Sequence, residues 1–113
     1  MNVRPFVPSA LVDYVQEHGL FEGFYDGQEA YIQLWFPAEL DSINNEIEID
    51  LRAPGFLAFA SDGGNEIYAF DRAETVFILP MIGMEAQYAI KVADSFTELA
   101  KKFQAANNLI RKN

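Results

Sequence analysis

Cysteine is absent from the 113 residues, which excludes disulfide staples and thiolate metal sites. A chain without thiols fits a reducing cytoplasm. The opening Met-Asn-Val-Arg-Pro-Phe-Val-Pro lacks the continuous apolar core of a secretory signal, and no run approaches the ~20 apolar residues that a membrane span needs. The expectation is a cytoplasmic protein away from membranes. Histidine occurs once, as His18. A general base there is conceivable, but a ring at the end of a helix, just before Gly19, serves the helix dipole first. Basic residues are missing altogether between Asp13 and Asp50, where Asp13, Glu17, Glu22, Asp26, Glu29, Glu39, Asp41, Glu46, Glu48 and Asp50 follow one another. Lysine and arginine gather instead towards the other end, at Lys91, Lys101, Lys102, Arg111 and Lys112. The formal net charge is −9. Such a field repels nucleic acid and anionic lipid and attracts basic proteins, although an acidic surface also serves plain solubility.

What is present is apolar and aromatic. Half the residues are hydrophobic, with ten Phe, five Tyr and one Trp. A domain of this size buries roughly two-thirds of its unfolded surface, so one core needs no metal or disulfide. The chain reads as a single domain from residue 8 to 113 behind a loose arm, residues 1–7, where Pro5 within it and Pro8 just after it oppose regular hydrogen bonding.

The organising stretch is Phe56 to Asp71. Two apolar runs, Phe56–Ala60 and Ile67–Phe70, flank Ser61-Asp62-Gly63-Gly64-Asn65, whose residues suit tight turns, so the stretch reads as a β-hairpin at the centre of a sheet. Before it, Ser9 offers an N-cap and Leu11, Tyr14 and Val15 recur at helical spacing, predicting a helix over 10–18 that Gly19 stops. Its outer face carries Asp13 and Glu17. Strands are expected over Leu20–Tyr25, turning at Asp26-Gly27, and over Tyr31–Phe36. Pro37–Leu40 then reads as a short helical turn. Leu40, Ile43 and Ile47 fit a helical face, whereas Ile47, Ile49 and Leu51 alternate as an extended segment would. The adopted reading is a short helix to about Asn45 with extended chain after it. Behind the hairpin, Thr75–Leu79 and Tyr88–Val92 read as strands separated by a loop over 81–87. Ser95 and Glu98 form a capping box, opening a helix with Phe96, Leu99, Ala100, Phe103 and Ala106 on one face. The sum is α+β: a largely antiparallel twisted sheet of about five to six strands, with the N-terminal and C-terminal helices packed on one face.

These elements, in this order, resemble the SUKH superfamily, which includes yeast cell-wall synthesis regulators and many bacterial immunity proteins. The likeness begins at Pro8, ahead of the helix carrying Tyr14. It continues through Gly19 and Phe21-Glu22-Gly23-Phe24, then Leu34-Trp35 followed by Ala38-Glu39-Leu40. Phe59-Ala60-Ser61-Asp62-Gly63-Gly64 with Ala69-Phe70-Asp71 resembles the family's Gly-Ser-Asp-Gly-Gly-Gly hairpin. Ala93-Asp94-Ser95-Phe96 with Glu98-Leu99 is similar to its closing helix start. His18, Ala60 and Asn65 depart from the usual Asn, Gly and Gly. The resemblance implies a binding module without catalysis or cofactor, commonly one that neutralises a cognate toxin, often a nuclease, inside the producing cell. The charge agrees with that. A nuclease domain needs positive surface to hold phosphates, and an acidic inhibitor can meet it by steering. The candidate partner-binding residues are Asp13, Glu17, Glu22, Asp26 and Glu29, extended by Glu46, Glu48 and Asp50, with Trp35 as a potential anchor.

Other readings compete. In a strand one of Trp35 and Phe36 points inward, and Trp35 is read as core ahead of interface anchor. The aromatic surplus would suit an apolar groove for a partner segment or a second copy of the chain, as in a regulatory scaffold binding an endogenous protein. Paired carboxylates could be assembled for glycoside chemistry, but with 17 acidic residues a pair carries no information. Asp62-Gly63-Gly64-Asn65-Glu66 lacks the spacing of a calcium loop, and turn chemistry explains it. Lys101 and Lys102 read as a solvated helix face in preference to a nucleic-acid site.

Overall fold

Ser61 to Glu66 closes the central hairpin with its own side chains. Asp62 Oδ1 accepts from the N–H groups of Gly64 (2.8 Å) and Glu66 (3.0 Å), and Gly63 N–H donates to Ser61 Oγ at 2.9 Å. Gly63 sits at φ +84°, and a Cβ there would stand 3.0 Å from the Tyr31 ring, so conformation and space both demand glycine. The computed structural model describes residues 4–26 and 29–111, and the side chains of the last helix as far as Phe103. In it this turn joins β3 (Leu57–Ser61) to β4 (Glu66–Phe70). With β1 (Glu22–Tyr25), β2 (Ala30–Leu34), β5 (Val76–Pro80) and β6 (Ile90–Ala93) they form one antiparallel six-stranded meander, in chain order. The fold is α+β, as expected, and the hairpin is its centre. Gly27, Ala106 and Lys112, used above for the first turn, the last helical face and the basic end, lie outside the described residues or side chains.

Both faces of the central strands are buried, which is why they read as unbroken apolar runs. On one face Leu57, Phe59, Tyr68, Phe70 and Val76 meet Leu11 of α1 (Ser9–His18) and Phe96, Leu99 and Phe103 of α4 (Phe96–Arg111). On the other, Ala58, Ile67, Ala69 and Leu79 meet Ile49, Ala53 and Met84. A register shift between Ala58 and Ala60 makes Phe59 an extra residue. The bulge turns Phe59 and its neighbour Ala60 into the same core, and the Phe59 ring stacks on Phe70 with centroids 4.2 Å apart.

Ser9 begins α1 and does not cap it. Pro8 holds the cap position in an extended conformation, its carbonyl accepting from Leu11 N–H at 3.1 Å. Proline suits that place because its φ is fixed and no partner is needed for the N–H it lacks. Gly19 stops the helix as expected, donating to the Val15 carbonyl at 2.8 Å. At the far end Ser95 Oγ accepts the Glu98 N–H at 3.2 Å, while the Glu98 carboxylate is drawn to Lys101 Nζ at 2.9 Å.

The segment between β2 and β3 departs most from expectation. A short helical turn, Pro37–Glu39, leads into α2 (Leu40–Glu46). The extended chain expected after Asn45 is absent. Glu48 adopts the left-handed conformation (φ 58°, ψ 41°) and starts a second helix, α3 (Ile49–Arg52). The alternation of Ile47, Ile49 and Leu51 was coincidental: Ile49 and Ala53, one helical turn apart, are buried, whereas Leu51 is 81% exposed. Leu40 belongs to the first core and Ile49 to the second, so this segment wraps the sheet and puts a helix on the face opposite α1 and α4. It can do so because β2 stops at Leu34, with Trp35 N–H making one last bond to Phe59 O at 3.0 Å. Beyond that point fully buried Asn44 replaces the strand. Its Oδ1 accepts from Ala58 N–H and its Nδ2 donates to Ala58 O and Leu40 O, each at 2.8 Å.

The arm is less loose than its prolines suggest. Arg4 reaches Asp41 Oδ1 and Asp50 Oδ2, both at 2.8 Å, and Asn45 Oδ1 at 2.7 Å, leaving its side chain 14% exposed. Residues 4–8 take up no regular structure, and the side chain of Arg4 ties them to the acidic α2–α3 corner.

Candidate functional site

Four rings hold the first half of the chain to the last helix. Phe21 stacks on Phe103 with centroids 4.3 Å apart, and Tyr14 and Tyr25 meet that ring edge-on at 5.9 and 5.7 Å. With those rings inside, Asp13 and Glu17 on α1, Glu22 on β1, and Asp26 and Glu29 at the β1–β2 turn are all exposed. Asp13 and Glu17 wall a groove of about 390 Å³ between α1 and α4, with His18 and Lys101 also lining it. Lys102 stands 3.8 Å from Asp26. Among the described residues no lysine or arginine pairs with Asp13, Glu17, Glu22 or Glu29. All four carboxylates face solvent on this flank, Glu22 accepting the Tyr31 hydroxyl.

The β1–β2 hairpin alternates. Tyr25 and Ile32 face the first core, and Glu22, Phe24, Tyr31 and Gln33 face the other way, onto sheet that α3 leaves uncovered. Phe24 is 54% exposed, its ring edge-on to Tyr31 at 5.0 Å. The Tyr31 hydroxyl donates to Glu22 Oε2, and that bond to a carboxylate raises the tyrosine pKa. Beneath, the Tyr25 hydroxyl bonds Tyr68 Oη at 2.8 Å and Tyr68 donates to Tyr31 O at 2.9 Å. Burial, then the bond to Tyr25, pushes the Tyr68 pKa far up. This pair fixes the hairpin in place and stays neutral.

The candidate residues thus fall into two groups. Asp13, Glu17, Glu22, Asp26 and Glu29 surround α1 and the first hairpin. Glu46, Glu48 and Asp50 sit at the α2–α3 corner, where Arg4 pairs with both Asp41 and Asp50, offsetting one of their two charges, and Glu46 and Glu48 stay exposed. Trp35 belongs to neither group. Half-buried, it packs against both cores where the chain crosses between faces. Sequence reasoning missed Arg4 and the outward aim of Phe24. The second had a signal: Phe24 shares a strand face with Glu22, two residues before it.

Among the described residues no three of His, Asp and Glu stand together as a metal site, and no helix is long and apolar enough to cross a membrane. Compared with protein-family models and with curated proteins, the sequence matches none of either.

Proposed function

We propose that the chain is an immunity-type member of the SUKH superfamily that binds and neutralises a basic protein, a nuclease toxin domain foremost, in the cytoplasm of the producing cell and without chemistry of its own. The observation that carries this reading is the first hairpin's flank, where Asp13, Glu17, Glu22 and Glu29 face solvent and, among the described residues, no lysine or arginine pairs with them. A surface of one sign accelerates encounter with an opposite one and selects against acidic competitors. The motif elements support the family reading by their placement: Asp62-Gly63-Gly64 forms the central turn, Leu34-Trp35 ends β2 before a helical turn, and Phe96 starts α4.

Affinity capture from the source cells with the tagged chain, washed at low and then high salt, tests this. A basic partner should be held at low salt and released at high salt, and its toxic activity should be blocked by the wild-type chain. The triple variant Glu17→Lys, Glu22→Lys, Asp26→Lys should lose the partner, whereas Glu46→Lys with Glu48→Lys should keep most of it. Undiminished capture by the triple variant would refute the acidic surface. A second reading, a regulatory scaffold binding an endogenous protein through aromatics, draws on the half-exposed rings of Phe24 and Phe36. It expects a partner retained through high salt.

A further inference from the structure

The β1–β2 ladder runs through four residue pairs without a shift, from Glu22 opposite Gln33 to Tyr25 opposite Ala30. Leu34 N–H donates to Phe21 O at 3.0 Å. That bond sets the hydrogen-bonded pairs at Phe21, Gly23 and Tyr25, so the N–H and C=O groups of Glu22 and Phe24 point away from β2. β1 ends the sheet and, among the described residues, pairs with β2 alone. The two residues that present their backbone at this edge also present their side chains on the uncovered face beside it.

The other edge is blunted. The β5–β6 ladder shifts between Val76 and Phe77, which leaves Val92 as an extra residue, and Lys91 beside it is paired with Asp94. A bulge and a lysine are standard protections against strand addition. β1 carries neither.

We propose that the β1 edge is a docking site for an extended basic segment of a partner protein, which adds a seventh strand to the sheet. This rests on the protein-binding role proposed above and specifies how the partner is held. The backbone groups of Glu22 and Phe24 supply the ladder. A lysine or arginine opposite Glu22 meets its carboxylate, with Asp26 and Glu29 close by in the chain. A β-branched residue opposite Phe24 packs on the Phe24–Tyr31 shelf. A second copy of this chain is the wrong occupant, because edge-to-edge pairing would set Glu22, Asp26 and Glu29 against the same carboxylates.

The probe is a synthetic peptide of the repeat Lys-Thr-Val-Thr, which puts Lys and Val on one face and Thr on the other. It is titrated into the whole protein while amide exchange is followed residue by residue. The parent peptide should slow exchange at Glu22 and Phe24. N-methylation of its Lys and Val residues, which removes the donors on the edge facing β1 but keeps every charge, should weaken binding at least about tenfold. N-methylation of the Thr residues blocks the far edge and should change little. Equal, salt-sensitive binding of all three peptides without protection at Glu22 and Phe24 would overturn the strand-addition site while leaving the acidic surface standing. Absence of binding by the parent would overturn it as well. Protection of the same amides in the protein alone, growing with concentration, would overturn it in favour of self-pairing.

Discussion

Asn44 shows how one side chain can take the place of a strand. Its carboxamide answers both backbone groups of Ala58 where β2 has ended. Asn44→Ala should cost about 2–4 kcal/mol in denaturant unfolding, because two buried groups lose their partner. Asn44→Asp is the more telling change. A carboxylate would accept from Ala58 N–H but would confront the Ala58 and Leu40 carbonyls, so its folded pKa should rise. A folded pKa above the unfolded one gives stability that is present at low pH and lost as pH rises through it. The variant should therefore be more stable near pH 4 than at pH 7, and a flat profile would contradict this hydrogen-bond assignment. Tyr68 follows the same sign at the other end of the scale. Its raised pKa means that unfolded chains ionise this tyrosine first, so stability should fall above about pH 10. Tyr68→Phe should blunt that alkaline loss. Nothing local marked Asn44 in advance, since an asparagine between helical neighbours reads as solvent-facing.

Two hairpins use one device. Asp71 Oδ1 accepts from Ala73 N–H (2.9 Å) and Thr75 N–H (3.0 Å), as Asp62 accepts from Gly64 and Glu66. The second turn, however, puts Glu74 in the left-handed region at φ 65°. Glu74→Gly should raise stability by about 0.5–1 kcal/mol in thermal unfolding, the relief of that strain exceeding glycine's entropy. Turns of this kind have local chemistry, which is how the β3–β4 hairpin was read, whereas α1 was read from its apolar spacing and the Gly19 stop, its cap proving to be Pro8 and not Ser9. The α3 helix was not legible. Four residues show too little period to separate helix from strand, and its placement depends on Ile49 and Ala53 finding Leu79 and Met84, a contact no neighbouring residue announces.

Across the whole molecule, the carboxylates of the candidate surface were visible in the sequence but their grouping was not. Arg4 removes Asp41 and Asp50 from the free set through contacts spanning 37 and 46 residues, which no local pattern encodes. The electrostatic consequence is kinetic. With the partner in hand, reversing Glu17, Glu22 and Asp26 should slow association about tenfold or more at low ionic strength and flatten its salt dependence, while dissociation changes less. Reversing Glu46 and Glu48 should alter the rate less, and stopped-flow mixing at several salt concentrations reads both. An equal effect from the two sets would mean that only net charge matters, with no particular face.

The turn that organises the sheet also holds one of the chain's two Asp-Gly linkages, Asp62-Gly63. An Asp-Gly linkage ages when the glycine nitrogen attacks the preceding side-chain carboxyl and expels water to close a succinimide, which water then opens to isoaspartate, one carbon longer in the backbone. Here Gly63 N–H is occupied by Ser61 Oγ and Asp62 Oδ1 by two further amides, so the folded hairpin shields the linkage it depends on. Damage accumulates only while the hairpin is open, and each damaged molecule loses the two bonds that would close it again. The working life of this turn is thereby set by how rarely it comes apart.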